Sequence, residues 1–293
     1  MSRLFCFGLG YSAGFLARTL ARDGWQIAGT SRDAGTAASL AVAGWAVQVF
    51  TRASPLPDPG AALAGSTHLL LSVPPDDAGD PVFDRHGAAL ASIRGLSWVG
   101  YLSTTGVYGD RGGAWVDEDT PPQPAGERGW RRLAAEEGWR NLARDRGLPL
   151  HIFRVAGIYG PGRSALDAVR QGRARRIDRP GHVFSRIHVD DLVTVLRASM
   201  ARPMPGSVFN VCDDEPAPAG DVVSFACSRL GVPAPALVPF EAAGLSPMAA
   251  SFYDDNKRVA NRRIKTELGV RLRYPSYREG LDAILKAALA RPE

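Results

Sequence analysis

The sequence of 293 residues is 45% hydrophobic and 22% charged, enough apolar matter for one large or two smaller cored domains and too balanced for a disordered or fibrous chain. Its formal charge of +5 comes almost wholly from arginine, because only Lys257, Lys265 and Lys286 are lysines. Three widely spaced cysteines (Cys6, Cys212 and Cys227) argue against a disulfide framework or a cysteine metal motif, and the longest apolar runs, such as HLLLSV, are too short to span a membrane.

The N-terminal stretch RLFCFGLG lacks the basic, apolar and small-residue layout of a signal peptide, so a cytoplasmic location is expected. RLFCFGL and WQIAGTS read as strands, with SAGFLARTLARDG between them as a helix. Its residues Ala13, Leu16, Ala17 and Leu20 share one face, and Gly24 stops it. WAVQVF, HLLLSVP and SWVGYLST follow as buried strands, separated by Gly, Pro and Asp clusters. DRHGAALASIR and 127–146 read as helices, and PLHIFRVAGIYG as one further strand. This alternation predicts an α/β fold with a doubly wound parallel sheet of Rossmann type. Beyond Gly162 the pattern loosens into short helices and Pro-rich turns (DDEPAPAG, GVPAPALVP), and it ends in an amphipathic helix, SYREGLDAILKAALA. The expected division is therefore 1–162 for the sheet domain and 163–293 for a smaller C-terminal lobe. Within that lobe, 182–212 is expected to return strands to the main sheet. In RIHVDD, Asp191 is expected to cap the helix LVTVLRASM.

The first strand runs into FGLGYSAGFL. Gly8 permits a tight turn, Gly10 lets the backbone approach a pyrophosphate, and the small Ala13 lets the helix pack close to the sheet. The first-turn N–H groups, at Tyr11, Ser12 and Ala13, then face the phosphates. Such a turn is a weak signal alone, but here it follows a strand and opens a helix. About twenty residues on, the second strand ends in GTSRD. Thr30, Ser31 and Arg32 come before Asp33, and small hydroxyls beside a guanidinium suit a 2′-phosphate. NADP is expected as the cofactor, with NAD as the alternative.

Four further segments carry a resemblance. YLSTTGVYGD (101–110), FRVAGIYGPGR (153–163), SRIHVDDLV (185–193) and VFNVCDDEP (208–216) occur in that order after the glycine turn. Together they resemble the extended short-chain dehydrogenase/reductases of the NAD(P)-dependent epimerase/dehydratase type. The tail NKRVANRRIKTELGVRLRYPSYREGL resembles the C-terminal end of that family, so the likeness spans essentially the whole chain. The resemblance implies a Ser/Thr–Tyr–Lys trio, in which the hydroxyl residue orients the substrate oxygen, tyrosine exchanges a proton and lysine binds the nicotinamide ribose. Thr104 matches the hydroxyl position, with Thr105 beside it as a substrate contact. Ser72 and Val73, after the fourth strand, fall where the family places small residues against the cofactor, although Pro74 and Pro75 stiffen that loop.

The Tyr-x-x-x-Lys positions fall in GERGWRRLAAEEGW (126–139), on Arg128 and Arg132. Both relay residues are missing. A guanidinium gives up no proton at working pH, so arginine cannot replace the tyrosine, but it can hold ribose hydroxyls or clamp a carboxylate or phosphate. Arg132 is accordingly expected at the ribose and Arg128 at a substrate anion. Tyr159 becomes a candidate proton donor, and Arg163 and His188 candidate substrate contacts.

The arginine-rich RQGRARRIDRPGH (170–182) has no alternating aromatics, so a nucleic-acid role is not expected. The five histidines show no metal-ligand spacing, and there is no Gly-x-Ser-x-Gly elbow. The expected protein is a cytoplasmic NADP-dependent oxidoreductase or epimerase-like enzyme, a homodimer by family resemblance. Its substrate is a small polar or nucleotide-sugar-like carbonyl or alcohol. The missing Tyr and Lys keep open an alternative: a non-catalytic NADP-binding sensor or regulator.

Overall fold

A computed structural model describes residues 2–290, and its chain clusters into two compact units. Unit 1 comprises 1–107, 127–154 and 193–209. Unit 2 comprises 108–126, 155–192 and 210–293. The division is thus interleaved rather than made at a single boundary after residue 162: the chain leaves unit 1 after 107 and after 154, re-enters it at 127 and at 193, and stays in unit 2 from 210 onward.

Unit 1 is built on β1 (Arg3–Phe7), β2 (Gln26–Ser31), β3 (Ala46–Val49), β4 (His68–Leu71) and β5 (Trp98–Thr104). The helices α1 (Tyr11–Arg22), α2 (Ala34–Val42), α3 (Pro59–Leu63), α4 (Pro81–Ser92) and α5 (Glu127–Arg146) intervene. With β7 (Leu150–Val155) and β11 (Val208–Val211) the strands form the doubly wound sheet expected from the sequence, in the order β11-β7-β5-β4-β1-β2-β3. β1 pairs in parallel with both β2 and β4, so the strand order reverses beside it, which is where open α/β sheets hold their ligands. The register sets Cys6 against Gly29 and Phe7 against Leu71. The next residues, Gly8, Thr30 and Ser72, therefore meet at one end of the sheet. As expected, α1 buries Ala13, Leu16, Ala17 and Leu20, and Gly24 (φ +81°) follows its end. Phe5, Phe7, Phe50, Leu69, Tyr101 and Trp139 belong to the core beneath.

Unit 2 contains three short parallel pairs. These are β6 (Trp115–Val116) with β13 (Arg258–Val259), β8 (Gly157–Tyr159) with β10 (Arg186–His188), and β9 (Arg176–Asp178) with β12 (Leu237–Pro239). Its helices are α6 (Ala165–Arg170), α8 (Ala219–Leu230), α9 (Pro247–Ala250), α10 (Arg262–Thr266) and α11 (Tyr277–Leu289), and its core includes Tyr159, Leu166, Ala226, Tyr277 and Leu281. The stretch PLHIFRVAGIYG is not one strand. β7 stops at Val155, the Ala156 amide donates to the Val211 carbonyl at 3.0 Å, and β8 goes on to pair with β10. Asp191 is not the expected cap either. Helix α7 (Val189–Ala201) already begins before it, and its carboxylate accepts the Arg273 and Tyr274 amides at 2.8 and 2.9 Å.

Candidate functional site

The turn from β1 to α1 is built as the sequence predicts. Gly8 has φ +88°, a left-handed conformation that only glycine adopts without strain, and a Cβ there would lie 3.0 Å from Ser72 Oγ and 3.1 Å from Val73 Cγ2. In front of Gly10 a Cβ would meet nothing within 4 Å, and Gly10 caps α1 with no side-chain hydrogen bond. The first turn of α1, with Tyr11 and Ser12 half-buried and Ala13 buried, thus presents a helix N-terminus beside open space. That is the cradle a dinucleotide pyrophosphate requires. The residues present fit the group.

At the end of β2, Thr30 and Ser31 are buried and Arg32 is exposed. Asp33 turns back to cap α2, its Oδ1 accepting the Thr36 amide at 2.7 Å while its own amide donates to Ser31 Oγ at 3.2 Å. The Thr36 backbone hydrogen bond holds the Asp33 carboxyl below its usual range. Its carboxylate is occupied by helix capping, and Arg32 presents the free-standing charge at that strand end.

The loop after β4 is pinned on both sides. Ser72 Oγ donates to the Gly8 carbonyl at 2.6 Å. Beyond the two prolines, Asp76 takes a two-pronged contact from Arg52 (2.7 and 2.8 Å), and Asp77 pairs with Arg131 on α5 at 2.5 Å. Asp80 caps α4 and accepts the Trp139 indole N–H at 2.9 Å.

Thr104 ends β5 half-buried, its Oγ1 accepting the Gly106 amide at 3.2 Å, with Thr105 beside it. Arg128 is exposed on the first turn of α5. Arg132 behaves differently from a ribose ligand extended toward solvent. Its Nη1 donates to the Leu102 carbonyl at 2.8 Å and to the Tyr101 hydroxyl at 3.3 Å, and its guanidinium lies 5.7 Å from the Tyr101 ring centre. One end of the side chain is thereby committed to β5. One turn further along α5, a feature missed in the sequence appears: buried Glu136 accepts from Ser103 at 2.5 Å and from Arg154 at 2.9 Å. The available signal was an arginine inside the apolar run HIFRVAG.

In unit 2 the structure removes two expected roles. Tyr159 is 8% exposed and donates its hydroxyl to the Ser276 carbonyl at 3.2 Å, and burial pushes its phenol well above the usual range. A phenol held this way is part of the packing against α11, so its assignment as a proton donor is withdrawn. His188 is 2% exposed, wedged against Tyr159 and Tyr274, with Nδ1 accepting the Asp190 amide at 3.2 Å. Burial pulls its pKa down to about 4, so the ring is neutral and internal rather than a substrate contact. Tyr108 is also internal, donating to Asn210 Oδ1 at 2.8 Å. Arg163 is exposed at the tight turn it closes with Gly160. Three of the five arginines of 170–182 tie distant chain segments together: Arg175 donates to the Ala243 carbonyl, Arg176 to that of Pro235 and Arg179 to that of Tyr253.

Among the described residues no group of three or more His, Cys, Asp or Glu side chains could hold a metal ion, and no helix is long and apolar enough to cross a membrane.

No family model matches the chain. A conserved protein of unknown function from Silicibacter pomeroyi DSS is 50% identical, superposes with a TM-score of 0.90, and is matched over 98% of this chain and 99% of its own. The 3-diazoavenalumate denitrifying reductase of a Streptomyces species is 30% identical over an alignment of 182 positions that covers 57% of this chain and 58% of that relative's length. In fold alone, UDP-glucuronic acid 4-epimerase from Bacillus cereus, solved in complex with NAD, superposes with a TM-score of 0.76 at 16% identity, over 98% of this chain and 99% of its own.

Proposed function

We propose that this chain, which shares its fold with a UDP-glucuronic acid 4-epimerase solved with NAD, is an NADP-dependent oxidoreductase of the extended short-chain dehydrogenase/reductase type acting on a small polar or anionic compound at the carbonyl/alcohol level. The observation that carries the reading is the glycine turn with open space before Gly10 at the uncapped start of α1. In this reading the Tyr11, Ser12 and Ala13 amides hold the pyrophosphate, Ser31 and Arg32 hold a 2′-phosphate, and Ser72 and Val73 border the dinucleotide. When bound, the nicotinamide supplies or accepts hydride. Thr104 and Thr105 orient the substrate oxygen, Arg128 clamps a carboxylate or phosphate, and Arg132 keeps its remaining guanidinium donors for the ribose. Arg163 stays an anion contact by exposure alone. The partial Streptomyces relative is a reductase, which favours reduction over epimerisation. A homodimer in a reducing cytoplasm belongs to the same proposal.

The test is a pair of binding titrations with NADP⁺ and NAD⁺, followed by NADPH oxidation against anionic carbonyl compounds and nucleotide sugars. NADP⁺ is expected to bind more tightly, and Arg32→Ala to abolish the preference. Failure of both dinucleotides to bind overturns the proposal. Arginine at both relay positions favours a second reading, an NADP-binding sensor. It gains if NADP(H) binds, no substrate is turned over, and the oxidised and reduced cofactors give different assembly states.

A further inference from the structure

Thr30, near the end of β2, is 1% exposed, and its hydroxyl is turned toward the neighbouring strand's turn. Its Oγ1 accepts the Gly8 amide at 3.0 Å, and its carbonyl accepts the Leu9 amide at 2.7 Å. From the opposite side Ser72 Oγ donates to the Gly8 carbonyl at 2.6 Å, and the Gly10 amide closes on that same carbonyl at 2.8 Å. Both polar groups of Gly8 are therefore held by side chains from either side of β1, in a left-handed conformation that glycine shares about equally with φ < 0 when unconstrained.

The arrangement divides the work of the turn. The Gly8, Leu9 and Gly10 amides are satisfied within the protein, so an anion must be met by the first turn of α1, whose start carries no side-chain cap. We propose that Thr30, with Ser72 opposite it, is a positioning residue for the pyrophosphate: the two hydroxyls hold the turn in its binding shape and so lower the ordering cost of dinucleotide binding. The inference rests on the dinucleotide reading of the turn.

Thr30→Val keeps the shape and removes the acceptor. NADP⁺ affinity is expected to fall about five- to tenfold, the size of one net hydrogen bond. Adenosine 2′-monophosphate, which has no pyrophosphate, should bind as it does to the wild-type protein, and Thr30→Ser should restore NADP⁺ binding. Ser72→Ala, the variant to rely on if Thr30→Val does not fold, should weaken NADP⁺ about threefold. Unchanged NADP⁺ affinity in both Thr30→Val and Ser72→Ala overturns the proposal. So does a loss shared equally by adenosine 2′-monophosphate, since that is what general loosening of unit 1 produces. Wild-type protein that binds adenosine 2′-monophosphate but not NADP⁺ removes the pyrophosphate site and the brace with it. Wild-type protein that binds neither overturns the dinucleotide reading itself.

Discussion

Ser103 on β5 donates its hydroxyl to Glu136 on α5 across 2.5 Å, one helical turn from where Arg132 donates to the Leu102 carbonyl. Arg154 on β7 reaches the same carboxylate through Nε at 3.2 Å and Nη2 at 2.9 Å, and Arg140 adds a contact at 3.2 Å. Glu136 is 0% and Arg154 2% exposed, so neither charge has water to fall back on. Removing Glu136 takes from the buried Arg154 the carboxylate it bonds, and removing Arg154 leaves Glu136 only Ser103 and the partly exposed Arg140, losses of up to about 3–5 kcal/mol in unfolding free energy. Glu136→Ala and Arg154→Met should each lose stability on that scale in denaturant melts, and the double variant should lose less than the sum. Strict additivity would show that the two side chains are not coupled.

Stability should rise with pH on the acid side of neutrality and fall on the alkaline side. Asp213 is 1% exposed, and burial pushes its carboxyl up to about 8 against the pull of Arg186. The unfolded chain releases that proton near 3.8, so between the two values folded protein holds a proton the unfolded chain has lost, and stability falls as pH rises. His188 and His151 act in the opposite sense. Burial pulls both down to about 4 from 6.5, so across that interval only the unfolded chain binds the proton and stability rises with pH. His68, His86 and His182 are lowered by burial too and act in the same rising sense, and once the unfolded chain's histidines are neutral the Asp213 decline prevails. Asp80, Glu118 and Asp191 are also raised by burial, which adds to the falling side. Calorimetry from pH 5 to 9 should show a Tm decline above the maximum that Asp213→Asn flattens. An equal decline in the variant would place its origin elsewhere.

The parts of the fold legible in the sequence are those governed by local spacing. Gly8, Gly10 and Ala13 announce the β1–α1 turn because backbone sterics act over a few residues, and the apolar face of α1 follows from a period of 3.6. What was not legible depends on distant partners. The apolar run at 149–160 reads as one strand until Ala156 bonds to Val211, 55 positions away, and β8 leaves for β10. Asp191 has the residue type of a cap but is claimed by amides 82 and 83 positions later. At the candidate site the same divide holds. Arg32 and Thr104 are found by their places at strand ends, whereas the diversion of Asp33 into the α2 cap and of Tyr159 onto Ser276 shows only when hydrogen-bond partners are in place.

Tyr159 provides a sharp contrast between structural and catalytic roles. Tyr159→Phe removes one hydrogen bond to the Ser276 carbonyl and should cost about 1 kcal/mol of stability, with any NADPH oxidation rate kept within about twofold. A hundredfold fall in rate at unchanged stability would restore the phenol as the proton donor. Gly280 on α11 packs against the same ring. A Cβ at Gly280 would lie 2.1 Å from the Tyr159 hydroxyl, so Gly280→Ala should lose about 1–3 kcal/mol, and adding Tyr159→Phe should recover some of it.

Gly8 and Gly10 should separate folding from binding. Gly8→Ala puts a Cβ on a residue at φ +88° with Ser72 Oγ at 3.0 Å, and it should lower stability by about 1–2 kcal/mol even with no ligand present. Gly10 has φ −85° and open space around the position of a Cβ, so Gly10→Ala should melt within about 0.5 kcal/mol of wild type. The same methyl group stands where the pyrophosphate must approach the backbone, and NADP⁺ affinity should fall at least about tenfold. Melting and NADP⁺ titration of both variants read the two effects separately. Wild-type affinity in Gly10→Ala would take the start of α1 out of the binding site, whereas a large stability loss there would mean that the space before Gly10 is needed for folding rather than for a ligand.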